Sequence, residues 1–317
     1  MTEEVVEVNK FRTYKDKYYI PISSLPEFFQ ELEDIEVRED DIFVVTYPKS
    51  GTHWMQEVVN LILVDGHASK LSSRDRRVII EIADIASPTP ELLAASGPTL
   101  RQVKNAPSPR VLTTHIQYPL LPKQIREKGC KVIYVYRHPK DVITSDFNFS
   151  RKLFQLECGR EAPDTPANFA MFFNDAMEGK IPYGSWMDHV LQYSKEKDNE
   201  NYLFVSYEAM KADLRRVVMD VASFIGHPLD GEAVQRVIQA ASIESMRTSF
   251  AKDKEEILKG NSSKKVDPTV FVNKGKVGQW QVRFTAEQNK YFDRLFQEKM
   301  KDCDLVKDYR PKEDNSV

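Results

Sequence analysis

Residues 42–48, IFVVTYP, run apolar from the acidic REDD to a proline, the pattern of a strand covered on both faces. From Thr52 the period changes: Trp54, Met55, Val58, Val59 and Ile62 recur at helical spacing and predict a helix with one apolar face. RVLTTH at 110–115 reads as a short strand, and KVIYVYR at 131–137 as a stronger one, apolar or aromatic almost throughout. HPKDVITSDFNFS then passes through Pro139 into a helix beginning near Lys140 or Asp141. YLFVSYE at 202–208 is a fourth strand, followed by the helical MKADLRRVVMDVASFIG, which stops near Gly226 and Pro228. Strands alternating with helices predict an α/β fold with a central parallel sheet, flanked by helices and joined by right-handed crossovers. Ligands bind such sheets at the carboxyl ends of the strands. Lys49, His115 and Arg137 all fall there.

At 317 residues the chain can bury a large core, and it reads as a single domain over 1–317. Within it, 1–35 is expected to be peripheral, the charged, Gly- and Ser-containing 249–270 segment to form a mobile cover, and 310–317 to be a loose tail. The 45 basic and 48 acidic residues leave a net charge of -3. That balance, with neither a basic stripe nor an aromatic-laced basic patch, argues against nucleic-acid and anionic-membrane partners. The three cysteines, Cys130, Cys158 and Cys303, form no C-x-x-C pair, which argues against a disulfide scaffold or a thiolate zinc site. No cluster has metal-ligand spacing, so no metal is expected. An acidic amino terminus and the lack of a long apolar run predict a soluble, cytoplasmic protein.

The chemistry concentrates in YPKSGTHW at 47–54, where a strand turns through small residues and one lysine into a helix. First-turn amides lack internal partners and point into such a turn, so it can cradle a phosphate or sulfate. Gly51 lets the backbone approach, Lys49 supplies a point charge, and Ser50 and Thr52 add hydroxyl donors. The stretch is not G-x-x-x-x-G-K-[ST], because its lysine precedes the glycine.

These residues resemble the 5'-phosphosulfate loop of the cytosolic sulfotransferases, which move the sulfuryl group of 3'-phosphoadenylyl sulfate (PAPS) to small alcohols, phenols or amines. YRHPKDVITSDF is similar to the family's 3'-phosphate segment, and VSYEAM and NKGKVGQW follow in the family's order, the last resembling R-K-G-x-x-G-D-W. The resemblance implies a P-loop-like, phosphosulfate-binding strand-loop-helix. Lys49 would contact the transferring group and its bridging oxygen, with Ser50, Gly51, Thr52 and His53 around the 5'-phosphate and Trp54 on adenine. Arg137 and Ser145 would hold the 3'-phosphate, Tyr207 would lie near adenine, and Asn273, Lys274 and Gly275 would close the site. His115, directly after a strand, resembles the catalytic base, and a neutral imidazole can take the acceptor's proton at cell pH. The implied products are a sulfated small lipophilic acceptor and adenosine 3',5'-bisphosphate, with no metal.

Several positions depart from the family. Asn273 stands where arginine is expected, Gln279 replaces aspartate, and Ala241 and Ile243 occupy positions of adenosine-binding threonine or serine and phenylalanine. Thr113 stands where phenol-type members have lysine and hydroxysteroid-type members serine, which leans toward the hydroxysteroid type. Phe147, Phe149 and Tyr183 are candidates for an apolar pocket wall or for core. The dimer motif K-x-x-x-T-V-x-x-x-E is met by Gln281, Thr285, Ala286 and Lys290, so a monomer or weak homodimer is expected. The alternative functions are a P-loop phosphotransferase or kinase, and a non-catalytic nucleotide- or lipophile-binding relative.

Overall fold

The computed structural model describes residues 11–15, 18–21, 26–71, 79–81, 103–160, 162–249 and 276–310. Asn273, Lys274 and Gly275 lie outside them, as do the 249–270 segment beyond its first residue, positions 311–317 of the tail and much of the first 25 residues.

A parallel sheet of four strands carries the fold: β3 (Ile42–Thr46), β4 (Val111–Thr114), β5 (Lys131–Tyr136) and β6 (Tyr202–Ser206), in the order β4-β3-β5-β6. An antiparallel hairpin of β1 (Phe11–Tyr14) and β2 (Tyr18–Pro21) precedes it, followed by α1 (Pro26–Glu33). The sheet strands sit where the apolar runs predicted, but each is shorter by a residue or two. Pro48 cannot donate to a ladder, and Tyr207 is not a strand end: it opens helix α7 (Tyr207–Ala212), capped by Ser206.

Alternating side chains along the strands feed two cores, which explains why the strands read as continuously apolar. Phe43, Val45, Val132 and Tyr134 pack on one side, under α4 (Pro139–Cys158), α5 (Pro166–Glu178), α6 (Trp186–Tyr193) and α10 (Ala286–Met300). Ile42, Val44, Ile133, Val135 and Val205 pack on the other, under α2 (Thr52–Ile62), α8 (Leu214–Phe224) and α9 (Gly231–Ala240). Helix α3 (Lys123–Glu127) lies between β4 and β5 in the chain. The helical run predicted over 210–226 is broken at Asp213, whose extended φ of -149° ends α7 and whose carboxylate caps α8 through the Arg216 amide at 3.0 Å. Asp41 of the REDD stretch is buried, not solvated, and its carboxylate holds Arg110, tying the starts of β3 and β4 together. No helix among the described residues is long and apolar enough to cross a membrane.

The chain runs from β3 to β4 on one side and then to β5 on the other. The carboxyl ends of β3 and β5 therefore diverge into a crevice, the place where this topology holds ligands.

Candidate active site

The crevice is built on the junction between β3 and α2. Lys49 takes a left-handed backbone, φ 66°, and Gly51 follows at φ 107°. The Ser50 amide closes the turn onto the Tyr47 carbonyl at 3.2 Å, and Gly51, the N-cap of α2, offers no side chain to the first-turn amides of the helix. The Ser50 hydroxyl is buried and has no hydrogen-bond partner. The Thr52 hydroxyl meets that of Thr46 at 2.6 Å, locking the helix start to the strand end. A buried orphan hydroxyl beside the uncapped first turn of α2 fits a phosphate.

Arg137, just past β5, spans the crevice. Its guanidinium donates to the carbonyls of Lys49 and Lys276, both at 3.1 Å, and its Nε has no partner. It lies 4.5 Å from the centre of the Tyr207 ring, and Trp54 meets the same ring edge-on at 5.5 Å. Tyr207 thus carries the far wall, and a Cβ at Gly51 would come within 2.9 Å of it. Trp54 is half-buried at the margin of its helix face. Its indole N–H donates to the carbonyl of Ala241 at 3.0 Å, a contact that the side chain at 241 does not affect. His53 lies half-buried in the first turn of α2, and Ser145 is buried on α4, one turn beyond Asp141. Asp141 accepts from the amides of Gly278 at 2.7 Å and Trp280 at 3.2 Å, anchoring the segment that follows Asn273, Lys274 and Gly275.

His115 follows β4 and is buried. Its Nδ1 lies 2.8 Å from the Thr46 carbonyl, so Nδ1 carries the proton and Nε2 keeps its lone pair. Burial pulls the imidazole down to about 4; the Lys49 charge adds to this and the Thr46 bond opposes it. The backbone beneath is held by His189, whose Nε2–H donates to the His115 carbonyl at 3.2 Å while the Tyr134 hydroxyl meets its Nδ1 at 2.8 Å. Burial pulls His189 down to about 3, so it too is neutral.

Lys49 extends into the same chamber, its ammonium 4.0 Å above the Phe149 ring. Burial draws it down to about 8, against the attraction of Asp146 and with further lowering from Arg137 and Lys152. Tyr183 sits edge-on to His115 at 5.4 Å, placed by the turn whose Gly184 carbonyl takes the Tyr47 hydroxyl at 2.7 Å. Of the three aromatics left open above, Phe149 and Tyr183 line the chamber, whereas Phe147 is core, packed on Phe169 and Phe172. Two buried carboxylates lie nearby, one bonded to the His115 backbone and one acting on Lys49 through its charge. Glu81 accepts the His115 amide at 2.6 Å and is pushed by burial up to about 7. Asp146, next to Ser145, is pushed by burial up to about 6. Glu81 belongs to no motif, and Asp146 follows Ser145 within YRHPKDVITSDF without a role of its own there.

Comparison with known proteins places the chain in one family. The sulfotransferase domain matches residues 39–304. The amine sulfotransferase of Oryctolagus cuniculus is 36% identical over 278 residues, covering 87% of this chain and 86% of that protein. Sulfotransferase 1E1 of Rattus norvegicus is 33% identical over 276 residues, covering 87% and 88%. Among solved structures, mouse sulfotransferase SULT7A1 complexed with PAP superimposes with a TM-score of 0.72 at 28% identity, covering 94% of this chain and 97% of that one. The chain belongs to the sulfotransferase family and is a PAPS-dependent enzyme.

Proposed function

We propose that the protein transfers a sulfuryl group from PAPS to a hydroxyl or amine of a small lipophilic acceptor, with His115 as base and Lys49 stabilising the bridging oxygen. The observation that carries this reading is the His115 tautomer: the Thr46 carbonyl that fixes it belongs to the strand that launches the Lys49 loop. In this reading the strand that holds the base also launches the loop that carries the cation, which supports placing an attacking oxygen or nitrogen between them. Bound PAPS supplies an activated sulfuryl group and a bisphosphate leaving group. Ser50, Gly51 and Thr52 suit its 5'-phosphate through the orphan hydroxyl and amides, and the unpaired Arg137 Nε suits its 3'-phosphate, with Ser145 and the Asn273, Lys274 and Gly275 segment assigned there by family position. Tyr207 and Trp54 frame the adenosine end, and His53 stays with the 5'-phosphate loop by family position. Lys49 and the loop amides stabilise the charge that gathers as the bond to the bisphosphate breaks.

The acceptor range rests on the apolar and aromatic chamber walls. The lean toward hydroxysteroids rests on Thr113, which is fully buried in β4. The relatives span an amine sulfotransferase and sulfotransferase 1E1 and do not single that type out. The expectation of a cytoplasmic monomer or weak dimer rests on Gln281, Ala286 and Lys290, which depart from the dimer motif around Thr285. Light scattering reads the assembly state.

Mass-spectrometric detection of sulfated product from PAPS with alcohol, phenol and amine acceptors tests the reaction, with Lys49→Ala and His115→Ala proteins alongside. Product that disappears in both variants is expected. No product and no binding of adenosine 3',5'-bisphosphate would reject the reading, and competition by ATP as strong as by the bisphosphate would favour a phosphotransferase.

A further inference from the structure

Asp146 is 8% exposed, and among the described residues it has neither a hydrogen-bond donor nor an ion-pair partner. A buried carboxylate left in this state is costly, and a cationic ligand relieves the cost. Lys49 attracts Asp146, but no ion pair closes between them, and the lysine ammonium rests instead on the Phe149 ring at 4.0 Å. Asp146 lies one turn before Phe149 on α4, the ring that carries the Lys49 ammonium, and it lines a cavity with Tyr47, two residues before Lys49. Lys49 acts electrostatically on both Asp146 and His115, and Tyr183, coupled to Asp146, meets the His115 ring at 5.4 Å. Once Lys49 is committed to the phosphates of the donor, Asp146 has no counter-charge in the chamber. The rings of Phe149, Tyr183 and Tyr47 nearby give a cation favourable faces.

We propose that Asp146 binds the ammonium group of a cationic amine acceptor and takes the first of the two protons its nitrogen must shed. This rests on the sulfuryl-transfer reading above and narrows its acceptor. An alcohol loses one proton on attack, which His115 can take at Nε2. An ammonium group loses two. The first passes to the Asp146 carboxylate and frees the nitrogen lone pair. The nitrogen then bonds to sulfur as the bond from sulfur to the bridging oxygen breaks, its electron pair leaving on the bisphosphate, and the second proton passes to His115. One ammonium and one PAPS thus give one sulfamate, one adenosine 3',5'-bisphosphate and two protons, held on Asp146 and His115. Burial, opposed by Lys49, holds Asp146 up at about 6, within reach of a transient proton.

The test compares 2-phenylethylamine with 2-phenylethanol, which share a carbon skeleton and differ in charge. The ratio of their kcat/KM values, amine over alcohol, is expected to fall about tenfold or more in Asp146→Asn, as for loss of a charged hydrogen bond, and to recover in part in Asp146→Glu. Calorimetric affinity of the amine for bisphosphate-loaded protein is expected to fall by a similar factor in Asp146→Asn. A ratio and an amine affinity unchanged in Asp146→Asn would overturn the proposal, as would wild-type protein that sulfates the alcohol but neither binds nor sulfates the amine; in both cases the sulfuryl-transfer reading stands. Absence of product from either acceptor, together with absence of bisphosphate binding, would overturn both.

Discussion

The Nδ1 of His115 lies 2.8 Å from the carbonyl oxygen of Thr46, the last residue of β3. β3 and β4 are paired in parallel register, Val45 opposite Thr114, so the two strands present the lysine loop and the base at the same level. The base is aimed by backbone and not by a carboxylate, and its basicity is therefore set by burial.

Replacing His115 by Ala is expected to lower kcat by about a hundredfold or more, the usual range for a positioned proton acceptor, while the bisphosphate still binds. Because the base must be neutral to act, and burial holds it down at about 4, the acid-side loss of kcat due to this group should lie well below pH 6. Steady-state rates across pH check both points; an acid limb near 6.5 that vanishes in His115→Ala would contradict the buried environment.

Lys49 titrates on the other side. The bisphosphate prefers the charged lysine, so binding above about pH 8 must be accompanied by proton uptake, and affinity is complete below that pH and declines above it. For one proton the limit is a tenfold loss of affinity per pH unit. Asp146, Arg137 and Lys152, the charges acting on Lys49, set its value together with burial. Calorimetry from pH 6.5 to 9.5 in two buffers of different ionisation enthalpy is expected to show this decline in wild type and to lose it in Lys49→Met. Independently, Lys49→Ala should reduce turnover by about a hundredfold or more, as for loss of a transition-state donor.

The sheet and the phosphate loop were legible because both are local in sequence. An apolar strand followed by Pro-Lys-Ser-Gly-Thr and a helical period specifies β3, the turn and α2 without reference to distant residues. The chamber walls were not legible in the same way. Asp146 sits in a polar helical stretch and Glu81 beside an apolar pair, and nothing in either neighbourhood announces that the side chain is buried. Tyr183 reaches His115 only because the Tyr47 hydroxyl, 137 positions away in sequence from Gly184, fixes the turn that carries it. His189, without a motif of its own, supports the His115 backbone across 74 positions. The break at Asp213 escaped the periodic pattern because apolar spacing continues through it, and only the capping role of Asp213 divides the helices.

Gly51 meets two separate requirements. Its φ of 107° disfavours any side chain, and a Cβ would lie 2.9 Å from the Tyr207 ring. That ring cannot swing away freely, since Arg137 lies on it and Trp54 packs against it. Gly51→Ala is therefore expected to cost about 1–3 kcal/mol of stability and to weaken bisphosphate binding about tenfold, because relieving the contact moves the phosphate-facing amides and Arg137 together. Thermal denaturation and calorimetry check the two effects. A variant with normal stability and normal affinity would show that the loop relaxes without disturbing Tyr207.

Glu81 is the buried acid whose ionisation should be visible in folding. Its carboxyl is held up at about 7 against an ordinary value of 4.5, chiefly by burial, with the His115 amide among the groups that oppose the shift. The native state therefore keeps this proton to a higher pH than the unfolded chain does, so the unfolded state binds fewer protons between the two values. With that sign, stability falls as pH rises from 4.5 toward 7 and levels off above, by about 3 kcal/mol in all if the group acts alone. Glu81→Gln retains an oxygen to accept the His115 amide and removes the titration. Its thermal transition should therefore gain on that of wild type steadily between pH 5 and pH 8, even if the two proteins differ little at pH 5. Differential scanning calorimetry over this range measures the difference directly. Parallel pH profiles for the two proteins would mean that Glu81 ionises in the folded state as it does in the unfolded one, and that its site is better solvated than its contacts indicate.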